Sequence, residues 1–111
     1  MKRILVPVDG SGNALRALRH AIARAKESPA EVHVLHIEPP PHYQEVRLYA
    51  MREDIARIHR EARQRLLQDA IDELQRESVP HAAHLADGEV ANAIAQFADS
   101  QQMDEIVMGT R

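Results

Sequence analysis

The sequence has no cysteine and no tryptophan. Without cysteine there is no disulfide framework, no thiolate zinc or iron–sulfur site and no cysteine nucleophile. The aromatic side chains are Tyr43, Tyr49 and Phe97, too few for a platform that stacks nucleic-acid bases. There is no surplus of positive charge. Lys and Arg number 14 against 17 Asp and Glu, a net charge of −3, which gives no electrostatic case for nucleic acid or an anionic membrane. No apolar run nears the roughly 18 residues of a membrane span. The run behind Met1-Lys2-Arg3 stops at Asp9, too short for the core of a signal peptide. A cytoplasmic location is the expectation.

What is present suits one folded domain. The 111 residues are 44% hydrophobic and 28% charged, a mixture that can build a core rather than remain disordered. Ile4-Leu5-Val6-Pro7-Val8 is a continuous apolar run, not an alternating one, as expected of a strand buried on both faces of a parallel sheet. Asp9-Gly10-Ser11-Gly12 breaks it, and Ser11 or Asn13 can cap the helix that follows. That helix carries Ala14, Leu18, Ala21, Ile22 and Ala25 on one face and ends at Ser28-Pro29. Val32 to Ile37 reads as a second strand running into the stiff Glu38-Pro39-Pro40-Pro41 segment. A long helix is predicted from about Glu45 to Glu77, on the stripe Leu48, Met51, Ile55, Ile58, Ala62, Leu66, Ala70 and Leu74. His81 to Ala86 is a weaker strand. Glu89 to about Gln101 is a third helix, with Val90, Ala93, Ile94, Phe97 and Ala98 inward. Asp104 to Met108 is a fourth strand.

Strands and helices in strict alternation predict a three-layer, doubly wound parallel α/β sheet with right-handed crossovers. With strand order 3-2-1-4, the first two helices cover one face and only the third covers the other. A crevice then opens between strands 1 and 4 at their carboxyl ends, where open α/β sheets take ligands. Two segments end there: Pro7-Val8-Asp9-Gly10 and Met108-Gly109-Thr110-Arg111.

Other chemistries fit less well. Gly10-Ser11-Gly12 lacks the lysine of a Walker A loop and the spacing of a dinucleotide fingerprint, so turn and cap chemistry is expected of it. An enzyme handling adenylates on this fold would need its phosphate loop there. A phosphorylated receiver would use Asp87 and a cluster of acids after strand 1, where only Asp9 stands. No two of the seven histidines sit four apart around a glutamate. His33 and His36 point to opposite sheet faces, as do His81 and His84, so scattered imidazoles are expected and no metal site. The arginines from Arg47 to Arg65 alternate with acids and read as a solvated helix face.

Three pieces together resemble the universal stress protein family: Lys2-Arg3-Ile4-Leu5-Val6-Pro7-Val8-Asp9-Gly10-Ser11, Val34-Leu35-His36-Ile37, and Asp104-Glu105-Ile106-Val107-Met108-Gly109-Thr110-Arg111. The resemblance covers the whole chain. It implies an adenine nucleotide alpha hydrolase-like fold, a cytoplasmic homodimer and a role in surviving stress. One branch of the family binds ATP and another does not. By resemblance to the first, Pro7, Val8 and Asp9 lie at the adenosine end and Ile37 contacts the adenine. Gly109 matches the first glycine of the phosphate-cradling Gly-x2-Gly-x9-Gly-Ser/Thr run, with Thr110 and Arg111 as its spacers. The expected nucleotide contacts are therefore Pro7, Val8, Asp9, Ile37, Met108, Gly109 and Arg111, with ATP and Mg²⁺ as the ligand. Asp9 reads either as an acceptor for a ribose or adenine edge, or as a strand-end cap. The remaining glycines, a last helix and a fifth strand would fall after Arg111, so a single domain over residues 1–111, incomplete at its C-terminus, is expected. The alternative is a shortened homodimeric interaction module that binds no nucleotide, its exposed sheet face and fourth-strand edge forming the dimer. No catalytic constellation is found; if ATP is hydrolysed at all, slow turnover is expected, with Asp9 holding ligand rather than moving a proton.

Overall fold

The computed structural model describes residues 1–38 and 53–109. Along the chain these form β1 (Lys2–Pro7), α1 (Gly12–Glu27), β2 (Ala30–Glu38), α2 (Glu53–Arg76), β3 (His81–Asp87), α3 (Val90–Ser100) and β4 (Glu105–Ile106). The four strands lie in the order β3-β2-β1-β4, every pairing parallel. This is the 3-2-1-4 sheet that the alternation of elements implies.

The apolar runs lack alternation because both sheet faces are covered. Ile4, Val6 and Val8 of the first strand and Val32 and Val34 of β2 pack with Leu18, Ala21 and Ile22 of α1 and with Ala70 and Leu74 of α2. Leu5, Leu35 and Ile37 point the other way, onto Ile94 of α3, with Phe97 and Ala98 at the margin. Two helices therefore share one face and α3 covers the other, as right-handed crossovers require. Ser11 is the cap of α1: its Oγ accepts the Ala14 N–H at 3.1 Å. Glu89 caps α3 rather than opening it, its carboxylate accepting from the N–H groups of Ala91 and Asn92.

Two expectations need correction. The stripe of the long helix places Ile58 inward, yet Ile58 is 58% exposed. Arg63 pairs with Glu38, the last residue of β2, so the turns before Arg63 stand past the strand ends with no sheet beneath them. The expected helix residues Glu45, Leu48 and Met51 and the three prolines lie outside the described residues. The fourth strand is also shorter than the expected Asp104–Met108. Only Glu105 and Ile106 pair, opposite Ile4 and Leu5, and Asp104 instead exchanges bonds with the Arg3 backbone. Glu105 is fastened from both sides, 2.6 Å from Lys2 Nζ and 2.6 Å from Arg24 Nη2. These two cations, Arg24 foremost, hold its carboxyl down at about 2. Among the described residues no helix is long and apolar enough to cross a membrane.

Candidate functional site

The β1 ladder ends at Pro7, opposite Leu35. The next residue, Val8, still donates its N–H to the Leu35 carbonyl at 2.9 Å. Its own carbonyl accepts from Nδ1 of His36 at 2.9 Å. Asp9 then turns the chain, its Oδ1 accepting the Ser11 N–H at 2.9 Å. Gly10 follows with φ +83°, a left-handed backbone that favours glycine. The Ser11 hydroxyl, and after it the Ser11 amide, hold the Asp9 carboxyl below its usual range, so an exposed carboxylate stands ionised at the strand end.

The other side of the crevice is built by the exit of β4. A Cβ on Gly109 would lie 2.5 Å from the carbonyl oxygen of Asn13. Glycine alone lets this segment rest against the first turn of α1. The two strand ends enclose a cavity of about 240 Å³. Pro7, Val8, Asp9, Ile37, Met108 and Gly109, the expected site residues within the described part of the chain, all line it. Arg111 lies outside the described residues. Sequence reading did not select Leu35, Val90, Ile94, Ser11, Asn13 and Ala14, which complete the wall. Leu35 shares a strand face with Ile37, and Val90 and Ile94 share a helix face, so residue spacing carries that signal once the layers are known.

The cavity is apolar at its base, through Leu35, Ile37 and Ile94, and polar at its rim, through Asp9, Ser11 and Asn13. A larger groove of about 400 Å³ lies between α1 and α2. No residue of β4 or α3 lines it, and two of its acids are already engaged: Glu73 pairs with Arg76 of the lining and with Arg19 outside it, and Asp72 accepts from Gln68 outside it. We place the candidate site in the smaller cavity because only there do the strand ends of the switch point converge.

The histidines are less scattered than the sequence suggests. His33 Nδ1 and His84 Nε2 lie 2.8 Å apart, the rings nearly parallel at 11°. His33 Nε2 meets Glu31 at 2.9 Å, and His84 lies against Phe97. Burial first, then the neighbouring His33 and Arg3, pushes the His84 pKa down. Among the described residues no three His, Asp or Glu side chains are grouped to hold a metal ion.

A model of the universal stress protein family matches residues 1–111. The chain belongs to this family. A curated universal stress protein of Methanocaldococcus jannaschii is 32% identical over 109 residues, which cover 98% of this chain and 64% of the relative. The chain thus spans 64% of that relative's length. The solved universal stress protein from Archaeoglobus fulgidus is 31% identical with a TM-score of 0.74, covering 100% of this chain and 77% of its own. A universal stress protein family protein from Arabidopsis thaliana, solved with AMP bound, shares the fold at 17% identity and a TM-score of 0.74, covering 99% of this chain and 77% of its own. By sequence and by fold this chain is a member of the universal stress protein family.

Proposed function

We propose that this universal stress protein binds an adenine nucleotide, ATP, in the crevice between β1 and β4. The observation that carries the reading is the convergence of Pro7, Val8, Asp9, Ile37, Met108 and Gly109 on one cavity. Its volume, about 240 Å³, falls just below the roughly 300–1,000 Å³ of sites that enclose drug-sized ligands. A base and sugar therefore fill it and the phosphates stay at the rim. Leu35, Ile37 and Ile94 offer apolar surface to the base. Asp9, ionised, accepts from ribose hydroxyls, whose protons a carboxylate takes up well as hydrogen bonds. The same low pKa makes Asp9 a poor proton acceptor in catalysis, so we assign it to holding ligand. The rim faces the N-terminus of α1, whose first turn has no acidic residue, a favourable end for phosphate charge. With no acidic cluster among the described residues, Mg²⁺ would arrive on the nucleotide's own phosphates. By the family resemblance, Gly109 matches the first glycine of the phosphate-cradling run of the ATP-binding branch.

Titration calorimetry with ATP and with AMP on the full chain tests this. Binding heat with a rise in thermal midpoint is expected. Absence of both at millimolar nucleotide would overturn the reading.

A second feature favours self-association. Among the described residues β4 pairs with β1 on one side only, and Ile106 and Met108 beside that edge are 43% and 54% exposed. An open edge with apolar side chains invites another strand or face. We assign it to a second copy of this chain, which also keeps in play the reading of a dimeric module that binds no nucleotide. A cytoplasmic setting for either reading rests on the family alone.

A further inference from the structure

We propose that His36 is the positioning residue of this site: it fixes the Val8–Asp9 peptide. The inference rests on the adenine-nucleotide reading for its functional consequence and on geometry for its substance. A carbonyl oxygen only accepts, so the 2.9 Å contact between Val8 O and His36 Nδ1 requires the proton to be on Nδ1. The other nitrogen, Nε2, lies 3.3 Å from Glu38 Oε1, and the same oxygen takes Nη1 of Arg63 from α2 at 3.3 Å. The His36 side chain is only 14% exposed. Nδ1–H thus holds one edge of the ring on the backbone leaving β1; a carboxylate oxygen only accepts, so the Glu38 contact adds no hydrogen bond to a ring protonated on Nδ1 alone.

The lever is peptide planarity. The Val8 carbonyl and the Asp9 nitrogen belong to one rigid plane. Val8 N–H is held by Leu35 and Val8 C=O by His36, so the orientation of the next plane is determined on both sides. Asp9, whose carboxylate forms the cavity rim, is aimed by that plane. His36 does this from the opposite sheet face, without lining the cavity. It is therefore not a ligand contact.

Three substitutions separate this role from generic support. His36→Asn keeps an amide donor near the place of Nδ1, His36→Gln moves the donor out to the reach of Nε2, and His36→Leu removes it. Loss of one well-placed hydrogen bond is expected to weaken ATP binding about five- to ten-fold in His36→Leu and His36→Gln, while His36→Asn stays within about two-fold of the parent on the same scale. Equal affinity in all three, or no rescue by asparagine, would overturn the proposal. Two measurements need no nucleotide. Nitrogen-15 NMR of the parent protein should show the neutral ring protonated on Nδ1; a proton on Nε2 would overturn it. Amide exchange at Ser11, whose N–H is held by Asp9, should quicken in His36→Leu and not in His36→Asn; equal rates would also overturn it. If the parent protein fails to bind ATP or AMP, the nucleotide reading falls, and these two measurements still decide the role of His36.

Discussion

Gly109 sets how closely the end of β4 can approach α1. Its absent side chain leaves room for the Asn13 carbonyl, which a Cβ would meet at 2.5 Å. Gly109→Ala must push the two segments apart, and overpacking of this kind costs about 1–3 kcal/mol. We expect a lowered thermal midpoint together with weaker ATP binding, read by thermal unfolding and calorimetry; an alanine variant matching the parent in both would refute the tight fit. The sequence singles out Gly109 through the family's phosphate-loop pattern. It does not show the steric reason, because Asn13 is brought beside it only by folding. Asp9 is similar. It accepts the Ser11 N–H, as a strand-end cap would, and also stands at the cavity rim.

At the scale of elements, β1, β2 and α1 are written locally: an uninterrupted apolar run, an apolar run broken by His33 and His36, and a serine cap. β3 is not. His81 to Asp87 is poor in large apolar side chains, and its place depends on pairing with β2, opposite Val32 to Glu38. That register is also what puts His84 beside His33, a pairing of residues 51 apart in the chain that no local pattern contains. It has a consequence for pH. The folded His84 has a pKa below the ordinary imidazole value of about 6.5, so below that pH the unfolded chain binds the proton more readily, and stability falls as pH falls. The stabilising contribution is whole above that value and declines through it on acidification. Thermal unfolding followed downward from neutral pH should therefore show a steeper loss for the parent than for His84→Gln. Parallel slopes would show that His84 does not titrate in this way.

For the whole molecule, the alternation of elements was enough to give the layers and the strand order, and through handedness the place of the crevice. It could not give the length of overhang of α2, which depends on where the sheet stops, nor the shortness of β4, which has a neighbour on one side only. The open β4 edge carries the prediction at this scale. Sedimentation equilibrium should give twice the 12.5 kDa chain mass, and Ile106→Lys should shift it to the single mass, because a desolvated lysine at the centre of an apolar contact is costly. A monomeric parent protein at high micromolar concentration would dismiss the assigned interface.

The unequal cover of the sheet has a meaning for what a bound molecule does. One face is closed by two helices, and the other by α3, with Ile94 its one fully buried side chain. The proposed site opens on that thinner side, with Val90 and Ile94 as part of its wall. A nucleotide seated there is then a component of the weaker half of the fold as much as a cargo. If nucleotide binds as proposed, its binding free energy adds to folding free energy, and openings of α3 from the sheet should become rarer as nucleotide concentration rises.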